Sequence, residues 1–209
     1  MMLIIKPFIS PFTAPFRASV LAVACLAVST FAAPIQADDV TDSIKDASEA
    51  YEKGDHNAAV ASLNDAVQLI QQMKGKTLEG LLPAALEGWT AAAAESTAVG
   101  AAMFGGGVTA ERRYTKGDSS VSVQIVTDSP MLQGMMALFT NPMFASSSGG
   151  KMEKVAGQKV ISTYEEANQS GDFKIAVANR YLVTITGQKV TKDELKAYTE
   201  AIDFKQMKE

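Results

Sequence analysis

The chain has 209 residues, and its 23 acidic and 19 basic side chains give a formal net charge of -4 at pH 7. This mild acidity argues against a nucleic-acid partner, because such proteins carry a basic patch or stripe. One cysteine and one histidine in the whole chain also leave few ways to build a Ser-His or Cys-His catalytic device or a zinc site. We therefore assign no catalytic residue, no metal and no cofactor from composition, and we expect a protein that is not an enzyme.

Residues 1 to 37 have the organisation of a secretory signal peptide. Two basic residues, Lys6 and Arg17, precede a nearly continuous apolar run over residues 18 to 33, and a Pro-Ile-Gln-Ala segment ends at Ala37. The run is shorter than the roughly 20 residues that a membrane span needs. We predict cleavage after Ala37, a periplasmic or secreted protein, and no transmembrane span after cleavage. The alternative is lipidation at Cys25, whose context resembles a bacterial lipoprotein cleavage site.

Residues 38 to 74 predict an antiparallel helical hairpin. Apolar residues recur three and four apart over residues 40 to 51 and again over residues 59 to 73, as they do on one face of a helix. Gly54 and Asp55 lie between the two runs, and Asp55 is a good cap for a second helix. Two amphipathic helices joined by a tight turn follow from this pattern.

The same hairpin resembles a single tetratricopeptide repeat over about residues 41 to 73. That family's spacing is matched by Ala50-Tyr51, Gly54-Asp55, Ala59-Val60, Leu63 and Ala66-Val67. Such repeats bury their apolar faces by stacking on neighbours. The resemblance therefore implies that the hairpin packs on the rest of the chain or on a partner protein. The alternative is an ordinary helical hairpin with small residues at the crossing point.

Residues 75 to 107 are expected to connect the hairpin to a second domain. Residues 74 to 82 contain two glycines and predict a linker, and a short strand is expected around residues 89 to 95. Residues 100 to 107 form a small-residue loop. This loop lacks the Gly-Lys-Ser/Thr ending and the strand-to-helix context of a phosphate-binding loop.

Residues 108 to 209 predict a domain of strands and helices. The strand-like runs cover residues 108 to 115, 119 to 127, 151 to 155, 159 to 165, 172 to 178 and 180 to 188. Short consecutive strands with tight turns indicate an antiparallel sheet of about six strands. A helix over residues 129 to 141, and another capped by Thr191 and Glu194, are expected to pack on this sheet. The predicted fold class is therefore α+β, with an N-terminal helical hairpin.

Methionines cluster in the predicted helix over residues 129 to 141 and just after it. The cluster consists of Met131, Met135, Met136 and Met143. Thioethers bind Cu(I), so a soft-metal site is one interpretation. Methionine also fills irregular gaps in a core and forms adaptable binding surfaces. All three interpretations stay open from sequence.

The functional hypothesis is a non-catalytic, exported protein of the cell envelope that binds another envelope protein. The residues predicted to form the partner surface are Tyr51, Leu63, Met135, Met136 and Phe139. One alternative is a carrier of copper or a small ligand that uses the methionine cluster. A less favoured alternative is a carboxylate-dependent hydrolase, which needs two acidic side chains within about 10 Å of each other in a cleft.

Overall fold

A computed structural model describes residues 37–98, 107–129, 132, 134, 139 and 149–208. The predicted signal peptide and the small-residue loop fall almost entirely outside these residues. Within the described part of the chain, the helices are α1 (Ala37–Glu52), α2 (His56–Gly80) and α3 (Lys192–Glu200), and a 3-10 turn follows at Gln206–Lys208. The fold is α+β, as predicted: a helical hairpin is followed by an antiparallel sheet.

The sheet has eight strands within the described residues, where about six were expected. They are β1 (Thr90–Ala91), β2 (Glu95–Ala98), β3 (Val108–Lys116), β4 (Ser119–Thr127), β5 (Lys151–Val155), β6 (Gln158–Glu165), β7 (Ser170–Val177) and β8 (Tyr181–Gln188). Both β1 and β2 pair with the outer edge of β3, and the order continues as β4, β8, β7, β6 and β5. The single strand expected around residues 89 to 95 is thus two short edge strands, and every pairing is antiparallel.

Strand β8 joins two halves of the sheet that are distant in sequence. It forms a hairpin with β7, in which Phe173 lies opposite Ile185 and Ile175 lies opposite Val183. Its other edge pairs with β4, which belongs to the preceding β3–β4 hairpin. The alternation of apolar and polar residues decides which face of these strands is buried, because successive side chains point to opposite faces.

One face of the sheet carries the main core. Its large side chains are fully buried, and the most enclosed are Val108, Tyr114, Val121, Val123, Ile125, Val160, Phe173, Ile175, Val177 and Ile185. The C-terminal end of α2, helix α3 and the last turn cover this face through Leu78, Leu195, Tyr198 and Met207. A core of this extent is what a single domain needs to fold without disulfides.

The opposite face is covered in part. Leu132 and Phe139 are helical and pack with Ile161 of β6 and Leu182 of β8, and all four are buried. Elsewhere on this face the strands present polar side chains, such as Glu111 on β3. The sheet therefore has a second, smaller apolar cluster beside a polar region.

Helix α2 continues to Gly80, so the prediction of a linker over residues 74 to 82 is wrong. Glycine inside a helix costs about 1 kcal/mol relative to alanine, which is why the glycines suggested a break. Gly75 is instead a contact point: a Cβ atom there would lie 2.6 Å from the Oγ of Ser96 on β2. Close packing of α2 on β2 overrides the local preference against helix.

The C-terminal helix α3 begins as predicted. The Thr191 hydroxyl accepts a hydrogen bond from the Glu194 amide at 3.2 Å, and the Thr191 amide donates to the Glu194 carboxylate at 2.9 Å. This reciprocal pair is a capping box. Leu195 and Tyr198 then point into the core. None of the helices in the described part of the chain combines the length and apolar character needed to cross a membrane.

Candidate interaction surface

The hairpin of α1 and α2 holds the large apolar side chains that the described structure leaves exposed. They are Ile44, Tyr51, Val60, Leu63, Val67, Ile70 and Met73, with exposed fractions between 40% and 67%. Large apolar residues of the sheet and of α3 are by contrast buried or partly buried. Single exposed apolar residues are common on protein surfaces, whereas a contiguous set marks an interaction site.

Small residues hold the two helices together. Ala47 on α1 and Ala59 and Ala66 on α2 are the buried apolar residues of this part of the hairpin. Alanine lets helix axes approach closely, but it fills little volume. The larger side chains are therefore displaced to the margin of the contact, where they remain in solvent.

The displaced side chains lie on one side of the hairpin. On α1, Ile44 is three residues before Ala47 and Tyr51 is four residues after it; on α2, Leu63 is four residues after Ala59. At roughly 100° per residue, each of these offsets is a rotation of about 40 to 60° in the same direction from the buried alanine. In antiparallel helices, equal rotations lead to the same side of the pair. The exposed residues thus line one groove between α1 and α2, which we call the hairpin groove.

The hairpin groove deepens at its open end into a cavity of about 430 Å³. The cavity lies between the first turns of α1 and the later turns of α2, and its lining residues are Val40, Thr41, Ile70, Met73, Lys74 and Thr77. This contact between opposite ends of the two helices is what an antiparallel pair produces. The cavity continues the apolar side of the groove, so the surface extends along most of the hairpin.

A short, ordered turn closes the other end. Gly54 has a positive φ of 76°, and the Asp55 carboxylate caps α2 by accepting a hydrogen bond from the Ala58 amide at 3.0 Å. His56, the single histidine of the sequence, is exposed at this turn. Its ring lies 5.7 Å from the ring of Tyr51, centroid to centroid. The turn therefore fixes Tyr51 beside the end of the groove.

Polar contacts join the far end of α2 to the sheet. Lys74 donates to the carboxylate of Asp128, and the Arg180 guanidinium lies 3.6 Å from the same carboxylate. The hydrogen bond from Lys74, together with these positive charges, lowers the pKa of Asp128 despite its partial burial. Lys74 and Asp128 thus tie the base of the hairpin to the end of β4.

A second contact of this kind involves Glu79. Burial opposes ionisation of this carboxyl group, but hydrogen bonds from the Ser96 hydroxyl at 2.6 Å and the Lys76 ammonium at 3.0 Å outweigh it, and the pKa of Glu79 is lowered. The last turns of α2 are therefore anchored on β2. Helix α1 lacks comparable contacts with the sheet among the described residues.

The hairpin also carries the net charge of the chain that follows residue 37. Residues 38 to 73 contain eight acidic and two basic side chains, whereas residues 74 to 209 contain fifteen of each, so the formal charges are -6 and zero. Most of the acidic residues are rotated away from the hairpin groove, namely Asp39, Asp42, Asp46, Glu49 and Asp65. The hairpin thus has an apolar front and an acidic back.

No match to the chain was found among family models, curated proteins or solved structures. The resemblance to a tetratricopeptide repeat stays a prediction.

The predicted partner-surface residues fall in three different places. Tyr51 and Leu63 are exposed beside the hairpin groove, 67% and 49% accessible. Phe139 is 8% accessible and packs against the sheet, so it does not contribute to an exposed surface. Met135 and Met136 lie outside the described residues. The prediction that Phe139 belongs to a partner surface is wrong because helical spacing identifies an apolar face but does not show whether the same chain covers it.

The proposed copper ligands Met131, Met135, Met136 and Met143 all lie outside the described residues, so the soft-metal interpretation stays a prediction. Among the residues that the structure does describe, His, Cys, Asp and Glu side chains form no group of three that could hold a metal ion.

Two carboxylates, which sequence reasoning did not pair, meet at the edge of the sheet. Glu95 on β2 lies directly opposite Glu111 on β3, and both line a cavity of about 660 Å³ together with Arg113 and Gln124. The Ser122 hydroxyl donates to Glu111 at 2.6 Å. Directly opposed residues have Cβ atoms about 5 Å apart, which meets the distance condition of the hydrolase alternative. The pairing depends on the register of β2, a short edge strand that the sequence pattern did not resolve.

Proposed function

We propose that the protein is an exported, non-catalytic interaction module of the cell envelope, and that the hairpin groove is its binding surface for a protein partner. The observation that carries the proposal is the location of the exposed large apolar residues: Ile44, Leu63, Val67 and their neighbours all belong to the hairpin. Grooves of this type bind an amphipathic helix through residues spaced three and four apart.

Anchoring of the hairpin base supports the same function. Gly75, Lys74 and Glu79 fix α2 on the sheet, while the groove extends beyond these contacts. A binding surface that is held rigidly at one end loses less conformational freedom when a partner docks than a freely moving one would. The sheet and α3 then serve as a stable base for the hairpin.

Site-specific photocross-linking tests the proposal. A photoreactive phenylalanine analogue replaces Leu63 in the groove in one variant, and Gln68, an exposed residue on another side of α2, in the matched control. In cells that export the protein, we expect discrete cross-linked protein products from position 63 and none from position 68. The analogue is also placed at positions 44 and 67 of the groove. If none of the positions 44, 63 and 67 gives a cross-linked product, the proposal is contradicted.

The carboxylate pair favours a second candidate, a hydrolase acting on envelope polymers. Glu95 and Glu111 line one cavity, as a general acid and a nucleophile or base must in a glycosidase. The test is turnover of cell-wall polysaccharide by the purified protein, compared with the Glu111→Gln variant. Turnover that is abolished by this substitution would establish the second candidate. Equal release of soluble sugar in samples of wild type, variant and buffer alone would exclude it.

A further inference from the structure

The two sides of the hairpin differ in a way that points to the partner. The front is apolar and includes Leu63 and Val67, whereas the back is acidic and includes Asp46 and Asp65. We propose that the partner is a second copy of this chain, and that the fronts of two hairpins pack together as a four-helix bundle. This inference rests on the proposed function of the hairpin groove as a protein-binding surface.

The shape of the hairpin suits such a bundle. An antiparallel pair of helices with an apolar side is one layer of a four-helix bundle, and a second identical layer completes the core. The exposed residues of α2 extend from Val60 to Met73, a length of about 20 Å at 1.5 Å per residue. A twofold axis through the middle of the groove brings the same surface from each copy together, so each apolar row meets apolar residues.

The distribution of charge allows two copies to approach. The charged residues nearest to the groove are Lys45 and Glu52 on α1, which carry opposite charges, and Lys74 on α2, whose charge is paired with Asp128. The other neighbours are uncharged, for example Ser48 and Asn64. A row of like charges on each rim would prevent association. The rims that would meet contain no such row.

The acidic backs do not oppose the contact strongly. In a bundle, they would be separated by two helix layers, about 20 Å, whereas charges in solvent are screened over about 8 Å at physiological ionic strength. A strongly basic partner helix would instead favour acidic residues beside the groove, and Asp39, Asp46 and Asp65 are on the other side. The charge pattern thus favours a second copy over a cationic helix.

Sedimentation of the exported, purified protein tests the inference. We expect a monomer–dimer equilibrium in which the dimer fraction rises with protein concentration. Leu63→Glu puts a charge into the groove and should leave only monomer, while Gln68→Glu adds the same charge outside the groove and should leave the dimer unchanged. A wild-type protein that remains monomeric at the highest attainable concentration would overturn the inference.

Cysteine cross-linking gives a measurement that does not depend on the folding of a charged variant. In a Cys25→Ser background, Val67→Cys should form an intermolecular disulfide under mild oxidation, and Gln68→Cys should form much less. Equal yields at the two positions would overturn the inference. Far-UV circular dichroism of each variant establishes that the helices are retained.

The outcomes separate this inference from the proposed function. The photoreactive analogue at position 63 could cross-link to a different protein while the purified protein shows no self-association. That result would overturn the second copy as partner but support the groove as a binding surface. No product of either kind would contradict both. A monomer that keeps residues 1 to 37 and has Val67→Cys inaccessible to a thiol reagent would identify that segment as the occupant and overturn the inference.

Discussion

The hairpin and the sheet bury their apolar residues in opposite ways. In the sheet, the largest side chains are inside: Tyr114, Phe173 and Ile185 are 0% exposed. In the hairpin, small alanines such as Ala66 are inside, and larger residues such as Leu63 lie outside. Burial of large apolar side chains is the main source of stability in folded proteins. The sheet therefore has a self-sufficient core, whereas the hairpin leaves an apolar surface exposed.

The difference shows that the same sequence feature can have two meanings. An apolar stripe at helical spacing occurs in α3 and in α2, and in α3 Leu195 and Tyr198 enter the core. In α2, Leu63 and Ile70 have the same spacing but remain exposed. The stripe predicts a helix and its apolar face in both cases. Only the position of neighbouring elements decides whether that face enters a core or stays exposed.

The largest effect is expected from Phe173→Ala in the sheet. The ring is fully buried between β7 and the helices that cover the sheet, so its removal leaves a cavity and should lower the free energy of unfolding by about 3 to 5 kcal/mol. Urea denaturation followed by the fluorescence of Trp89, the single tryptophan, measures the change. A loss below about 1 kcal/mol would mean that the sheet does not depend on this core.

A smaller loss is expected from Gly187→Ala on β8. A Cβ atom at this position would overlap the Val190 side chain and lie 2.7 Å from Leu195 Cδ2, so α3 would have to move away from the sheet. Overpacking of this kind costs about 1 to 3 kcal/mol. Gly80→Ala, where nothing lies within 4 Å of the added methyl group, is the matched control in the same urea experiment. Equal stability of the two variants would contradict the close approach of α3 to β8.

Asp128→Asn should have a modest, pH-dependent effect at the junction of hairpin and sheet. The pKa of Asp128 is lowered in the folded protein, chiefly by the hydrogen bond from Lys74. A lowered pKa stabilises the fold above the ordinary carboxyl value of about 4, and this contribution is lost as the pH falls further. Because both groups are partly exposed, the expected loss at pH 7 is below about 1 kcal/mol.

The same prediction requires that the difference between wild type and Asp128→Asn shrinks as the pH is lowered below about 4. Asp65→Asn, at an exposed position on the hairpin, is the control. Urea denaturation at pH 7 and at acid pH measures both variants. A difference that grows on acidification would show that the ion pair does not stabilise the junction.

The smallest effect is expected from Leu63→Ser in the hairpin groove. Leu63 is 49% exposed, so in dilute protein its truncation should change the free energy of unfolding by no more than about 0.5 kcal/mol. The same substitution should abolish self-association. A loss of more than about 2 kcal/mol in dilute protein would mean that the chain itself buries Leu63, and the contrast between hairpin and sheet would disappear.

Local patterns predicted much of the fold. Alternation of apolar and polar residues identified β4 with its buried Val121, Val123 and Ile125, and the Thr191–Glu194 pair identified the start of α3. These features depend on residues close together in sequence, where side-chain period and capping chemistry act directly. The tight turn at Gly54 and Asp55 was recognisable for the same reason.

Features that depend on distant residues were not predicted. The continuation of α2 through Gly75 requires contact with Ser96, and the short edge strands β1 and β2 exist because β3 offers them an edge. Neither contact leaves a periodic signal in the sequence. The same is true of the Glu95–Glu111 pair, which the register of β2 brings together.

The candidate surface was predictable in part. Tyr51 and Leu63 were selected from their helical spacing and lie exposed beside the hairpin groove, whereas Phe139, selected in the same way, is buried. The spacing of Ala47, Ala59 and Ala66 was readable, but their role in placing the larger residues on one side required the paired helices.

By itself, the sequence determined the type of most elements, the turn of the hairpin and the α+β class, because these follow from side-chain period, caps and turn residues. The tertiary structure decided which apolar faces are covered, how far α2 extends, and where the edge strands pair. The physical reason is that burial is a property of two surfaces in contact, and only the fold brings those surfaces together.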